Sequence, residues 1–196
     1  MTGEHAEFEP RSGDALLVVD VQNDFLPGGA LAVARGDEVV PVANRYMAEF
    51  RRRDCPVFAS RDWHPADHCS FAAAGGPWPP HCVRDSDGAA FAGLLDHLED
   101  DEVISKATRA DADAYSAFDG TGLAERLAAL GIRRVLVLGL ATDYCVLSTV
   151  MDALANGLEV VVPRDGVRAV NVAPGDGDRA LADMRNAGAT LIGSGQ

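Results

Sequence analysis

Short apolar runs set between helical patterns constrain this chain more than any other feature. Ala15-Leu16-Leu17-Val18-Val19 is continuous, as a strand covered on both faces must be. Residues 56–60, 102–105, 135–138, 160–162 and 190–192 read as further strands, with Val135-Leu136-Val137-Leu138 the strongest. Residues 37–53, 123–130, 143–156 and 178–186 read as the helices between them, with Asp37 and Glu38 in the first turn of the first. Gly131, Gly157 and Gly188 stand where three of these helices must stop. Such alternation predicts an α/β three-layer sandwich around a central, mostly parallel sheet of about six strands. A chain of 196 residues suits one domain. That domain is expected over residues 14–196, with residues 1–13 a flexible polar tail.

Charge narrows the partners. The chain carries 30 acids and 17 Lys and Arg, a formal charge of −13. A field of that sign repels phosphate backbones and anionic lipid, so neither nucleic acid nor a membrane is expected as a partner. No apolar run approaches the ~20 residues of a spanning helix. The acidic N-terminus has no apolar stretch and does not read as a signal peptide. Cys55, Cys69, Cys82 and Cys145 are sparse and unpatterned, which points to free thiols in a reducing cytosol. Homo-oligomer formation is left open.

In a parallel sheet ligands bind beyond the carboxyl ends of the strands. The first strand ends in Asp20, the second runs into Asp62 and His64, and the third ends in Lys106. The fourth leads through Gly139-Leu140-Ala141-Thr142-Asp143 to Cys145. Thr142 or Asp143 is a plausible N-cap, which places Cys145 in the first turn of a helix. A helix N-terminus and a nearby Lys106 both favour a thiolate, and Asp20 could pass a proton to a leaving group. The alternative for Cys145 is a buried structural thiol.

Residues 61 to about 88 have no periodicity and are crowded with Pro, Gly, His and Trp. Two tryptophans, three histidines and two cysteines suit an ordered functional loop better than a disordered insertion. Asp62 and His64 alternate, so in extended chain both project to one side. With His68 and His81 they could hold zinc, iron or manganese. Ordinary surface histidines are one alternative, and a structural zinc on Cys69 and Cys82 is another, disfavoured by the absence of paired spacing. His5 and His97 read as tail and helix-surface residues. Walker A, Rossmann, nucleophile-elbow and HExxH motifs are absent.

Taken together, Asp20-Val21-Gln22-Asn23-Asp24-Phe25, Ser60-Arg61-Asp62-Trp63-His64-Pro65, Trp78-Pro79-Pro80-His81-Cys82, Ser105-Lys106 and Gly139-Leu140-Ala141-Thr142-Asp143-Tyr144-Cys145-Val146 resemble the nicotinamidase/pyrazinamidase branch of the isochorismatase-like cysteine hydrolases. The resemblance covers nearly the whole chain from about Asp14. It implies a catalytic triad of Asp20, Lys106 and Cys145, and a divalent ion, zinc favoured, on Asp62, His64 and His81, with His68 a further histidine. It implies a cis peptide before Ala141, whose N–H would join that of Cys145 in an oxyanion hole, and a flat ring flanked by Phe25 and Trp78. The implied reaction converts nicotinamide, and pyrazinamide with it, to the acid and ammonia through a thioester, as a step of NAD salvage. One departure stands out: Ala107 follows Lys106 where related enzymes often carry glycine. Sister hydrolases of this fold act on isochorismate or other small amides, and metal content separates them from the metal-dependent branch.

Overall fold

Alternate residues of β1 (Asp14–Val19) face opposite layers, and this organises the molecule. In the computed structural model, which describes residues 8–99 and 102–193, Leu16 and Val18 enter one core and Ala15, Leu17 and Val19 the other. The strongest strand, β4 (Arg134–Leu140), divides likewise, with Leu136, Leu138 and Leu140 on the first side and Val135 and Val137 on the second. Continuous apolar runs are what two-sided burial demands.

The first core is closed by α1 (Val39–Arg52), whose Val39, Val40, Ala43, Met47 and Phe50 form one buried stripe. Pro41 falls in its first turn, where a missing N–H costs nothing. The second core is closed by α2 (Leu123–Ala129), α3 (Leu147–Ala155) and α4 (Asp176–Ala187). The other strands are β2 (Val57–Asp62), β3 (Val103–Lys106), β5 (Glu159–Pro163), β6 (Val167–Arg168) and β7 (Thr190–Ile192). Their order is β3-β2-β1-β4-β5-β7, every strand pair is parallel, and β6 pairs with the far end of β4. The three-layer α/β expectation therefore holds, with a seventh strand added. β6 has two residues, too few for any periodic signal.

Three expectations are corrected. Asp37 and Glu38 belong to a short 3-10 turn, Gly36–Glu38, that leads into α1. α4 begins two residues early, after Gly175 at φ +84°. His97 is exposed on irregular chain rather than on a helix. His5 lies outside the described residues. Of the residues expected as a tail, 1–7 lie outside the described residues; the Phe8 ring stacks on Phe50 at 5.7 Å, with the Arg134 guanidinium 4.4 Å from its centre. An isolated phenylalanine among acids gave no hint of this partner. The 61–88 loop is ordered, pinned by bridges between His64 and Val83 and between Phe71 and Trp78.

Gly139 lets β1 and β4 close at the site. A Cβ there would sit 2.0 Å from the Val19 carbonyl oxygen, and its φ is +126°. The Leu140–Ala141 peptide that follows is cis.

Candidate active site

The ends of β1, β2, β3 and β4 are neighbours in the sheet, so the side chains that leave them converge. Lys106, at the end of β3, is fully buried at its amine. Its Nζ lies 3.0 Å from Asp20 Oδ2 and 3.4 Å from Cys145 Sγ. It also donates to Asp62 Oδ1 at 2.5 Å and to the Ala114 carbonyl at 3.1 Å. Burial opposes a charged amine, but the two carboxylates outweigh it and hold the Lys106 ammonium well above the usual lysine range. Burial likewise opposes a charged Asp62, yet Lys106 and His64 keep that carboxyl below its ordinary range.

Asp20 and Cys145 behave differently. Burial raises the Asp20 carboxyl, against the pull of Lys106. Its Oδ1 accepts 2.6 Å from Ser60 Oγ, while Oδ2 makes no well-aligned hydrogen bond. Burial also pushes the Cys145 thiol well up, and Lys106, shared between two carboxylates, does not offset this. That direction is opposite to the lowering expected from a helix N-terminus and a nearby Lys106. Asp20, Asp62 and Cys145 offer atoms within 4.8 Å of one another, so a proton acceptor of raised basicity adjoins that thiol.

The turn that carries Cys145 also differs from expectation. Residues Thr142–Val146 form a π turn running into α3, and Ala141 precedes it with no side-chain cap. Asp143 is not the cap. Its carboxylate accepts instead from the Val170 N–H at 2.9 Å and the Asn171 N–H at 2.8 Å.

Asp62, His64 and His81 place one ligand atom each within 4.8 Å of one another, all in buried residues. These residues fit a divalent metal ion. His64 Nε2 is buried with no hydrogen-bond partner. The Ala107 carbonyl lies 3.3 Å from His64 Nδ1 and the Pro79 carbonyl 2.8 Å from His81 Nδ1. A carbonyl can only accept, so both Nδ1 atoms carry the proton and both Nε2 atoms keep the lone pair a metal needs. Asp62 gives Oδ1 to Lys106 and keeps Oδ2 on the histidine side, 3.6 Å from His64 Nε2.

His68 does not join that convergence. Its Nδ1 lies 2.7 Å from Ser70 Oγ and its Nε2 3.1 Å from the Ala112 carbonyl. Both ring nitrogens are committed, and the ring packs 4.2 Å from that of His64 as a wall. Cys69 and Cys82 carry free thiols and belong to no potential metal cluster among the described residues.

A small cleft opens above Cys145, Asp62, His64 and His81. Phe25 and Trp78 line it as expected, as does Ala141. Two lining tyrosines escaped the sequence reading. Tyr115 Oη accepts 3.1 Å from Trp78 Nε1, and the Tyr144 ring meets Trp78 edge-on at 5.2 Å. Gln22 was missed as well. Fully buried, it accepts from the Asp62 N–H and donates to the Asp62 and Ala89 carbonyls, each at 2.8 Å. Tyr144 adjoins Cys145 and was within reach of a sequence argument. Gln22 was not, because its partners lie 40 and 67 residues away.

Residues 14–196 match the Isochorismatase domain family. The nicotinamidase of Escherichia coli K12 is 44% identical, over 90% of this chain and 93% of that protein. The crystal structure of the Pyrococcus horikoshii pyrazinamidase in complex with zinc superposes with a TM-score of 0.88 at 46% identity, covering 93% of this chain and 99% of that one. The L. infantum protein PnC1 in complex with nicotinate superposes with a TM-score of 0.84 at 41% identity, covering 92% of each. The sheet order, the converging strand ends and these similarities agree that the chain belongs to the isochorismatase domain family.

Proposed function

We propose that this protein hydrolyses nicotinamide, and pyrazinamide with it, to the corresponding acid and ammonia. The observation that carries the reading is one cleft in which Cys145, Asp20 and Lys106 adjoin the Asp62, His64 and His81 donors. Its support from relatives is the E. coli nicotinamidase, the zinc-bound pyrazinamidase and the nicotinate-bound protein.

The residues divide the work as follows. Asp20 Oδ2 takes the Cys145 thiol proton as sulfur attacks the amide carbon and the C–S bond forms. The N–H groups of Ala141 and Cys145 face the oxygen that gains charge. Asp20 then gives its proton to the amide nitrogen, the C–N bond breaks, and ammonia leaves a thioester. A water deprotonated by Asp20 attacks that thioester, the C–S bond breaks, and the proton returns to sulfur as the acid departs. Lys106 stays charged throughout and offsets the carboxylates around it. Phe25 and Trp78 flank the ring. A divalent ion on Asp62, His64 and His81, with zinc favoured, would supply a Lewis-acidic contact that orients the ring nitrogen.

No described helix is long and apolar enough to cross a membrane. Four free thiols, one of them the nucleophile, suit a reducing cytosol. The acid product would feed NAD salvage there. Ammonia release from nicotinamide with and without a chelator tests the reading. Turnover that the chelator suppresses supports it. No turnover with metal supplied would overturn it.

A further inference from the structure

We infer that Asp143 is a positioning residue that fixes one wall of the substrate cleft to the turn carrying the nucleophile, and thereby sets which ring amides fit. The inference rests on the proposed amidase reading. It starts from a carboxylate that the mechanism does not use.

Asp143 stands two residues before Cys145, in the same five-residue π turn. Both its oxygens are spent on successive backbone donors across the cleft. Oδ1 accepts from the Val170 N–H at 2.9 Å and Oδ2 from the Asn171 N–H at 2.8 Å. Val170 lines the cleft beside Ala141 and Cys145. Two adjacent N–H groups can point at one anion only where the backbone turns, and Asn171 has the left-handed φ of +54° that such a turn uses. Asn171 extends the brace, since its Oδ1 accepts from the Gly177 N–H in the first turn of α4 at 2.9 Å.

The consequence is geometric. Sγ of Cys145 and the Val170 wall hang from one short turn, so Asp143 ties the two directly, beside the pairing of β6 with β4 and the packing of α4 on that turn. Hydrogen bonds to a carboxylate are stronger than those to neutral acceptors, which makes this a stiff link on an otherwise irregular segment. Loosening it should let the wall retreat while sulfur, Lys106 and Asp20 stay in place, because those come from other strand ends.

The test is Asp143→Ala, with Asp143→Asn, which keeps one acceptor oxygen, as the conservative variant. KM for nicotinamide should rise about tenfold in Asp143→Ala, with a smaller change in kcat and partial recovery in Asp143→Asn. Within a panel of ring-methylated nicotinamides, at least one should gain on nicotinamide in kcat/KM. Val170→Ala, which widens the same wall without freeing its backbone, should favour the same member. Alkylation of Cys145 by iodoacetamide, a readout independent of the cleft wall, should keep its rate within about threefold. An unchanged selectivity across the panel would overturn the inference, as would a loss of kcat and alkylation together. A wild-type protein that released no ammonia at all would instead sink the underlying activity.

Discussion

The two sides of the cleft are built by different means. Asp20, Lys106 and Cys145 sit at or just beyond the ends of three parallel strands, where sheet hydrogen bonds fix the backbone. His64 and His81 sit on a loop with no regular structure longer than a single turn, and side chains do the fixing there. Gln22 grips Asp62 and Ala89. Asp24 Oδ2 accepts the Cys82 N–H at 2.7 Å, directly after His81. Gly88 makes room for that carboxylate, since a Cβ there would collide with it. The lesson is that the sheet holds Asp20, Lys106 and Cys145 while polar side chains hold the loop that carries the histidines. The two should therefore fail separately.

The largest expected effect is on the strand side. Cys145→Ala should abolish turnover, leaving less than about a thousandth of the rate, while zinc binding by the histidine side persists in equilibrium dialysis. A variant that kept a tenth of the rate would remove Cys145 from the nucleophile's place. On the loop side, His81→Ala should lose the metal and raise KM for nicotinamide by about a hundredfold. Its Cys145 alkylation rate should stay near wild type, and a parallel fall in alkylation would show that the two sides are one unit.

Gln22→Ala probes the joint between them. It leaves the Asp62 N–H and two carbonyls unpaired inside the protein, so denaturant unfolding should show a loss of about 3 kcal/mol. A loss below about 1 kcal/mol would mean that the loop holds itself. The smallest effect concerns protons. Asp20 must be ionised to take the thiol proton, and burial raises its carboxyl, so the acid limb of kcat/KM should lie above the ordinary carboxylate range. The Ser60 hydroxyl favours the ionised form, so Ser60→Ala should move that limb to still higher pH. An unmoved limb would assign it to another group.

This contrast also explains what the sequence made legible. The triad could be placed because strand ends share one edge whatever the loops do, and apolar runs mark strand ends within a residue or two. Asp62, His64 and His81 could be named from residue type and spacing. The protonation that frees their Nε2 atoms depends on the Ala107 and Pro79 carbonyls, which no spacing reveals. The partners of His68 have the same origin: only the folded loop sets Ser70 and the Ala112 carbonyl against its two nitrogens. The departure at Ala107 also becomes intelligible. Its φ is +50°, the left-handed region glycine occupies freely, and there its carbonyl meets His64. The local backbone is retained at a cost of about 1 kcal/mol rather than redirected.

The division of labour is tested most directly by comparing nicotinamide with benzamide, which lacks the ring nitrogen, before and after metal removal. If the histidine side only orients the ring, removal should cut kcat/KM for nicotinamide by about a hundredfold, leave the slow turnover of benzamide within about threefold, and so bring the two substrates close together. Equal proportional losses for both substrates would contradict the account and give the metal a part in the bond-breaking steps or in holding the fold.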